Sequence, residues 1–453
     1  MFDTNIRYAV LGLARSGIAA AYKIRELGGT AFLSDNKPRE QIAEAAQLEA
    51  DFECEFGAHS DRLLDFPVWI ISPGIPLTAP VIPKGIKAGI EIISEIEFGY
   101  RIMHEGSKII AVTGSNGKST TVSLIHHCLS AMGHKSILAG NIGDALCSYP
   151  IEKAGIDYIV LEVSSFQLDT IKSFKADVAV LLNITPDHLD RYKDFDDYAQ
   201  SKMRVFLNQT AADDAVICTD SEPILQRIQQ IKAKQHRYSL KSSYPEVHAW
   251  MDKEYIQIGS KHRCSIDDLI IKGPHNHANF MAAMLSIQAL GLELDAAIEA
   301  AKSFPSLPHR LEYVASVAGV SFYNDSKATN TDSVKSALIS FGKPIRVIMG
   351  GSDKGEDFGV LTDMLSQWAV KVYICGDTEA KMLQAWQGKL PLATFQDFGA
   401  CVQTAFEESS PGDVVLLSPA AASFDRFQNY QHRGEVFKQI VQSIALEGNH
   451  EEK

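Results

Sequence analysis

What this 453-residue chain lacks already narrows it. No apolar run approaches the roughly 20 residues that cross a bilayer, so a membrane span is excluded. The opening Met1-Phe2-Asp3-Thr4-Asn5 has neither the basic region nor the apolar core of a secretory signal, and a cytoplasmic location is expected. Seven cysteines, at 54, 128, 147, 218, 264, 375 and 401, form no C-x-x-C pair. That argues against a structural zinc site and for reduced, mostly buried thiols. Basic charge is also short: 43 Lys and Arg against 56 Asp and Glu give a net charge of −13. General nucleic-acid binding needs a basic face and is disfavoured. Anionic small substrates remain open, because single loops on an acidic protein can be positive.

What is present is an ordinary globular composition, 45% hydrophobic and 22% charged, long enough for about three domains. Strand and helix patterns alternate. Arg7–Leu11, Ala31–Ser34 and Pro67–Ser72 read as buried strands, with a helix over Gly17–Leu27. Tyr158–Val163 and Val178–Asn183 read as strands of a second sheet, followed by a helix over Asp194–Leu207, a hairpin region over Lys232–Cys264 and a helix over His275–Leu290. Val320–Tyr323, Ile345–Met349, Val372–Cys375 and Val414–Leu417 read as strands of a third, each followed by a helical stretch. Such alternation predicts an α/β protein with parallel sheets. The expected domains are 1–96, 97–306 and 307–453.

The most informative stretch is 109–121, Ile-Ile-Ala-Val-Thr-Gly-Ser-Asn-Gly-Lys-Ser-Thr-Thr. An apolar strand runs into a Gly/Ser/Asn turn, then a lysine, hydroxyls and a helix over Thr121–Met132. Such a loop aims backbone N–H groups at a phosphate, and the helix N-terminus adds partial positive charge. Lys118 can reach outer phosphates, and Ser119 or Thr120 can hold Mg²⁺. The general phosphate-loop pattern wants glycine at 112, where this chain has Val112. Only the short form Gly114-x-x-Gly117-Lys118-Ser119 is present.

Other strand ends carry polar groups. Glu162 closes a strand and could coordinate Mg²⁺ on ATP phosphates, or be an ordinary hydrogen-bonded glutamate at a strand end. His188, in Asp187-His188-Leu189-Asp190-Arg191, could be a second ligand. Lys202, on a helix, earns no role from its neighbours alone. Gly12-Leu13-Ala14-Arg15-Ser16-Gly17 resembles a dinucleotide turn, but Ala14 replaces the glycine that lets a pyrophosphate approach. NAD is therefore disfavoured. Another nucleotide's phosphates, helped by Arg15 and Ser16, and a bare strand–helix turn both stay open. Asn276 and Asn279 share a helix face and could meet an adenine edge or a phosphate, or merely cap. Loops at Asn324–Asn330, Gly350–Lys354 and Ser418–Asp425 follow three strands, so they share one sheet edge. Lys327, Lys354 and Ser423 could clamp a carboxylate there, or the three could be ordinary surface loops.

Taken together, Gly114–Thr121, Leu161–Leu168, Thr185–Arg191, Asn324–Asn330 and Leu417–Gly434 resemble the Mur ligases, the ATP-dependent amide-forming family of bacterial cell-wall synthesis. The family's own phosphate loop is the short form, which accounts for Val112. The last stretch is similar to the member that adds D-glutamate to UDP-N-acetylmuramoyl-L-alanine. The departures are Tyr430 where the family often has Phe and Ala421 where it often has Cys.

The resemblance implies three domains: an N-terminal Rossmann-like one, a central one like a phosphate-loop ATPase, and a C-terminal Rossmann-like one. It implies ATP held by Gly114, Ser115, Asn116, Gly117, Lys118, Ser119 and Thr120, with Asn276, Arg310 and Asp325 near the nucleotide. It implies two Mg²⁺ sites, at Ser119 and Glu162 and at His188 and a carbamylated Lys202. Lys118, His188 and Lys202 would serve catalysis. Ala14, Arg15, Ser16, Asn36, Lys37, Ser72, Pro73 and Gly74 would hold the UDP part. Asn141 would hold the sugar-peptide part, and Ser164 would also touch substrate. Thr329, Lys354, Ser423 and Tyr430 would hold D-glutamate, and Lys327 would also touch substrate. A monomer is expected.

Overall fold

The computed structural model describes residues 3–42, 44–187, 191–241, 247–353 and 355–451. Among them lie three sheets.

The first is built from β1 (Arg7–Leu11), β2 (Thr30–Asp35), β3 (Glu53–Phe56), β4 (Val68–Ile71) and β5 (Glu91–Ser94), in the order β3-β2-β1-β4-β5. All pairs are parallel. The order reverses at β1, so the Gly12 turn sits at the switch point, where ligands bind in open α/β sheets.

The second contains β6 (Lys108–Thr113), β7 (Ser136–Gly140), β8 (Tyr158–Glu162), β9 (Val178–Leu181), β10 (Asp214–Cys218), β11 (Lys234–Ser239), β12 (Ala249–Asp252), β13 (Tyr255–Ile258) and β14 (His262–Ser265). Its order is β14-β13-β12-β11-β10-β9-β6-β8-β7. The expected hairpin region divides. β11 extends the parallel sheet beside β10, and only β12–β14 form an antiparallel meander. The order reverses at β6, which places the phosphate loop at this sheet's switch point.

The third contains β15 (Glu312–Val317), β16 (Val320–Asn324), β17 (Ile345–Met349), β18 (Ala369–Cys375), β19 (Leu392–Phe395) and β20 (Val414–Leu417), ordered β15-β16-β20-β17-β18-β19. β15 is an antiparallel edge strand and the other pairs are parallel. β16, β20 and β17 are neighbours, so the three polar loops that follow them lie side by side.

Central strands read as continuous apolar runs because helices cover both faces. In β1, Ala9, Val10 and Leu11 are fully buried, as are Val160 and Leu161 in β8. The helix after the phosphate loop starts at Lys118, three residues before the expected Thr121, and runs to Ala131. Val122, Leu124, Ile125, Cys128 and Leu129 on it are all fully buried. Each large apolar side chain contributes about 1.5–3 kcal/mol by leaving water, which pins the loop's C-terminal end to the core.

By contacts the chain forms two compact units. One is 1–265 with 278–302 and carries the first two sheets; the other is 266–277 with 303–453 and carries the third. No helix among the described residues is long and apolar enough to cross a membrane.

Candidate active site

The phosphate loop is shaped from behind by Asn183, just past β9. Ser115 N–H donates to the Asn183 carbonyl at 3.0 Å and Asn116 N–H to Asn183 Oδ1 at 2.8 Å. Asn183 Nδ2 donates back to the Asn116 carbonyl at 3.0 Å. The Ser115 hydroxyl donates to the Thr185 carbonyl at 3.0 Å and lies 3.0 Å from Tyr198 Oη. The Ser115 and Asn116 N–H groups, expected to face phosphate, are thus spent on the loop's own geometry. Those of Lys118, Ser119 and Thr120 stand in the first helical turn, where the helix supplies no acceptor. Gly117 has φ +88°, and a Cβ there would run into the Asn279 side chain, so both backbone and space require glycine.

Two lysines converge on one carbonyl. Lys118 Nζ donates to the carbonyls of Gly114 and Ser115, each at 2.8 Å. Lys202 Nζ, from helix Phe195–Met203, donates to the same Gly114 oxygen at 2.9 Å and lies 4.7 Å from the Tyr198 ring centroid. Burial, and after it the charge on Lys118, push the Lys202 amine well below the ordinary lysine range.

Glu162 ends β8, paired with Val112 on one side and Gly140 on the other. Its Oε1 accepts from Asn141 Nδ2 at 2.7 Å, while Oε2 is buried without a hydrogen-bond partner. Thr113 Oγ1, at the end of β6, is orphaned in the same way. A buried carboxylate oxygen without a donor is costly unless a cation faces it. Glu162 therefore fits a hard divalent ion. Among the described residues no three His, Cys, Asp or Glu side chains form a metal cluster. His188 lies outside the described residues, so its expected place as a ligand is not described. The Ser164 hydroxyl caps helix Ser165–Leu168 in a capping box with Gln167.

The N-terminal turn is organised differently. Gly12 has φ +85°. Leu13 N–H donates to Asp35 Oδ2 at 2.6 Å and Lys37 N–H to Asp35 Oδ1 at 2.9 Å. In a dinucleotide fold the acid at the end of the second strand holds a ribose. Here one oxygen of Asp35 holds the turn at Leu13 and the other accepts from Lys37 N–H just past β2, which removes that support for NAD. Ala14 is the N-cap of helix Arg15–Glu26 and gives no side-chain cap, so its first turn is uncapped toward solvent. Ser16 and Ser72 place their hydroxyl oxygens 3.4 Å apart, and Asn36 and Lys37 are exposed. Pro73 and Gly74 offer carbonyls to the Arg191 guanidinium at 3.2 and 3.4 Å, and that guanidinium lies 4.2 Å from the Phe166 ring centroid.

In the C-terminal unit the three loops share a hub that sequence reasoning missed, the buried Arg433. Its guanidinium donates to Ser326 Oγ and to the carbonyls of Ser326, Gly350, Ala421 and Ala422, at 2.9–3.3 Å. The loops after β16, β17 and β20 are thereby held as one surface. Lys327 Nζ sits 3.9 Å from the Tyr430 ring centroid, the Ser326 hydroxyl donates to the Tyr430 carbonyl at 2.8 Å, and Ser423 is buried. Asp325 is turned inward: Oδ1 accepts from Leu311 N–H and Oδ2 from the Ser418 hydroxyl. Burial raises it to about 7. Asn276 is buried and donates to the Lys272 carbonyl; Arg310 and Thr329 lie in the same unit. Lys354 lies outside the described residues.

Family models agree with these three regions. Residues 6–94 match the N-terminal domain of MurD-like Mur ligases, 112–287 the Mur ligase middle domain and 309–421 the Mur ligase glutamate ligase domain. The chain belongs to the Mur ligase family. This Mur ligase is 40% identical to UDP-N-acetylmuramoylalanine--D-glutamate ligase of Cytophaga hutchinsonii, covering 97% of this chain and 99% of that protein. It is 38% identical to the ligase of the same name from Koribacter versatilis, covering 97% and 98%. Its fold is similar to UDP-N-acetylmuramate-alanine ligase MurC of Thermotoga maritima, at a TM-score of 0.62 and 17% identity over 97% of this chain and 99% of that one.

Of the expected residues, the structure of this Mur ligase brings Gly114–Thr120, Glu162 and Lys202 to adjacent strand ends. It brings Lys327 and Tyr430 together and sets Ser423 next to Ala422, on the loops that Arg433 ties to one another. Asn183, Asp35 and Arg433 were missed as organisers. Each could have drawn notice as a polar residue at a strand end or helix start, but its partners lie far away in sequence.

Proposed function

We propose that this chain joins D-glutamate to UDP-N-acetylmuramoyl-L-alanine with ATP, in peptidoglycan precursor synthesis, acting as a cytoplasmic monomer. The observation that carries the chemistry is the unpartnered Oε2 of Glu162, one strand away from a phosphate loop with two lysines on it. The choice of D-glutamate rests on the full-length likeness to ligases named for that reaction.

The alanyl carboxylate attacks the γ-phosphorus, the bond to the β,γ-bridging oxygen breaks, ADP departs and an acyl phosphate is left. The amine of D-glutamate then attacks the acyl carbon, phosphate leaves, and the amine gives up a proton. Neither step needs a protein nucleophile, so positioning and charge stabilisation supply the rate. First-turn N–H groups of helix Lys118–Ala131 and the Lys118 ammonium would face the transferring phosphoryl group. Mg²⁺ held by Glu162 and Ser119 would neutralise phosphate charge.

The surroundings of Lys202 support its carbamylation. Burial beside Lys118 favours the neutral amine, the form that adds CO₂ with loss of a proton. The resulting anion would turn repulsion from Lys118 into attraction, and with His188 it would hold a second Mg²⁺. Asn276, Arg310 and Asp325 would approach the nucleotide. The uncapped turn at Ala14–Ser16, with Asn36, Lys37 and Ser72–Gly74, would take the UDP part. Lys327, Thr329, Lys354, Ser423 and Tyr430 would take D-glutamate on the surface Arg433 organises.

Phosphate release with UDP-N-acetylmuramoyl-L-alanine and ATP is expected to depend on D-glutamate and not on its L-enantiomer. Equal release with both, or with neither present, would remove this reading.

A further inference from the structure

Arg15 makes contacts that a residue serving only a diphosphate would not need. Its guanidinium leaves its own sheet and reaches the loop after β7. Nη1 donates to the Gly143 carbonyl, and Nη2 donates to those of Gly140 and Asn141, each at 3.2 Å. No carboxylate among the described residues pairs with it. Asn141, whose carbonyl it holds, passes the restraint on: Nδ2 donates to Glu162 Oε1 at 2.7 Å, and Asn141 N–H donates to the Glu162 carbonyl at 2.9 Å. The other oxygen of Glu162 is the orphaned one.

From this chain of contacts we infer that Arg15 is a positioning residue that couples occupancy of the N-terminal turn to the aim of Glu162. The inference rests on the reading above, in which a diphosphate takes the turn and Mg²⁺-nucleotide takes Glu162. A guanidinium has five N–H donors. Three go to the 140–143 carbonyls, and two remain for an anion at the turn that Arg15 itself opens. An anion there orders the side chain, which orders the loop, which fixes the Asn141–Glu162 bond. The coupling is therefore positive and reciprocal. The helix cannot slide to absorb the change, because Lys23 near its other end is buried and bonded to Glu152 at 3.0 Å.

Calorimetric titration of Mg·ADP, with and without saturating UDP-N-acetylmuramoyl-L-alanine, tests this. In the wild type the UDP substrate is expected to tighten Mg·ADP at least about fivefold, the lower range of allosteric coupling. Arg15→Ala abolishes that gain and Arg15→Lys restores part of it. In a double-mutant cycle Arg15→Ala and Asn141→Ala are non-additive for the gain. If Arg15→Ala weakens UDP-substrate binding but leaves the gain intact, Arg15 is only a ligand contact and the inference falls. It falls equally if the two substitutions add, or if wild type binds both ligands with no gain. A wild type that binds neither would instead sink the functional reading. Arg15 is exposed, and unchanged melting of the variants confirms that the fold is retained.

Discussion

Two turns in this molecule look alike in sequence and differ in what they hold in reserve. Gly12–Gly17 and Gly114–Lys118 both follow a buried strand, both open a helix, and both sit at a switch point. Behind the first stands a carboxylate: Asp35 takes the N–H groups of Leu13 and Lys37. Behind the second stands a neutral amide: Asn183 braces Ser115 and Asn116. An acid beneath a turn lowers its affinity for concentrated negative charge, and an amide does not. The second turn also gathers Lys118 and Lys202 on one carbonyl, whereas the first sends its one cation, Arg15, to a different loop. The lesson is that the same strand–turn–helix unit is braced by an acid in one place and by an amide in the other, and the proposed division between a sugar diphosphate and a triphosphate rests on that difference.

Lys118→Ala should break the comparison most sharply. On the proposed mechanism it removes the main charge facing the transferred phosphoryl group, and turnover should fall about 10³-fold, read as phosphate release from a sample with unchanged melting. Retained turnover would mean the two turns are functionally equal. Asn183→Ala should cost about 10²-fold in kcat/KM for ATP, through loss of loop geometry, with KM for the UDP substrate unchanged. Asp35→Ala should do the reverse. Losing two charge-assisted bonds, worth about 1.5–3 kcal/mol each, costs the turn more in shape than removing the acid's repulsion returns, so KM for the UDP substrate should rise at least tenfold while Mg·ADP affinity stays unchanged. If both variants damaged both ligands equally, the division of labour would be wrong.

His277 should have the smallest effect on catalysis. Burial lowers it from 6.5 to about 4, and neither ring nitrogen has a hydrogen-bond partner. Only the unfolded chain takes up its proton between those values. Stability is therefore full above pH 6.5 and falls as the pH drops to 4, by about 1–3 kcal/mol. His277→Phe should lessen the fall in urea midpoint between pH 7 and pH 4.5, the buried His275 nearby keeping part of it, without changing turnover at pH 7. An unchanged acid slope would show that the ring is not the titrating group.

Buried parallel strands were legible because they are continuous apolar runs. The short or amphipathic strands were not: Glu53–Phe56, Glu91–Ser94 and Leu392–Phe395 carry exposed or partly exposed residues and are strands because a neighbour pairs with them. The same divide runs through the site. Gly114, Gly117, Lys118 and Glu162 announce their chemistry locally, through spacing from a strand end. Lys202 does not, since a helical lysine is ordinarily a solvated cation. Only its burial against Gly114, 88 residues away in the chain, and beside Lys118 pushes its amine well below the ordinary lysine range.

Residue order alone determined the three-sheet architecture, the position of the phosphate loop and the family, because hydrophobic period and glycine spacing act over a few neighbours. Tertiary structure alone decided which polar groups face one another: Asp35 under one turn, Asn183 under the other, Arg433 among three loops, Arg15 across to Asn141. Those pairings are set where strands from distant segments end side by side, and hydrogen-bond geometry is defined only once they do.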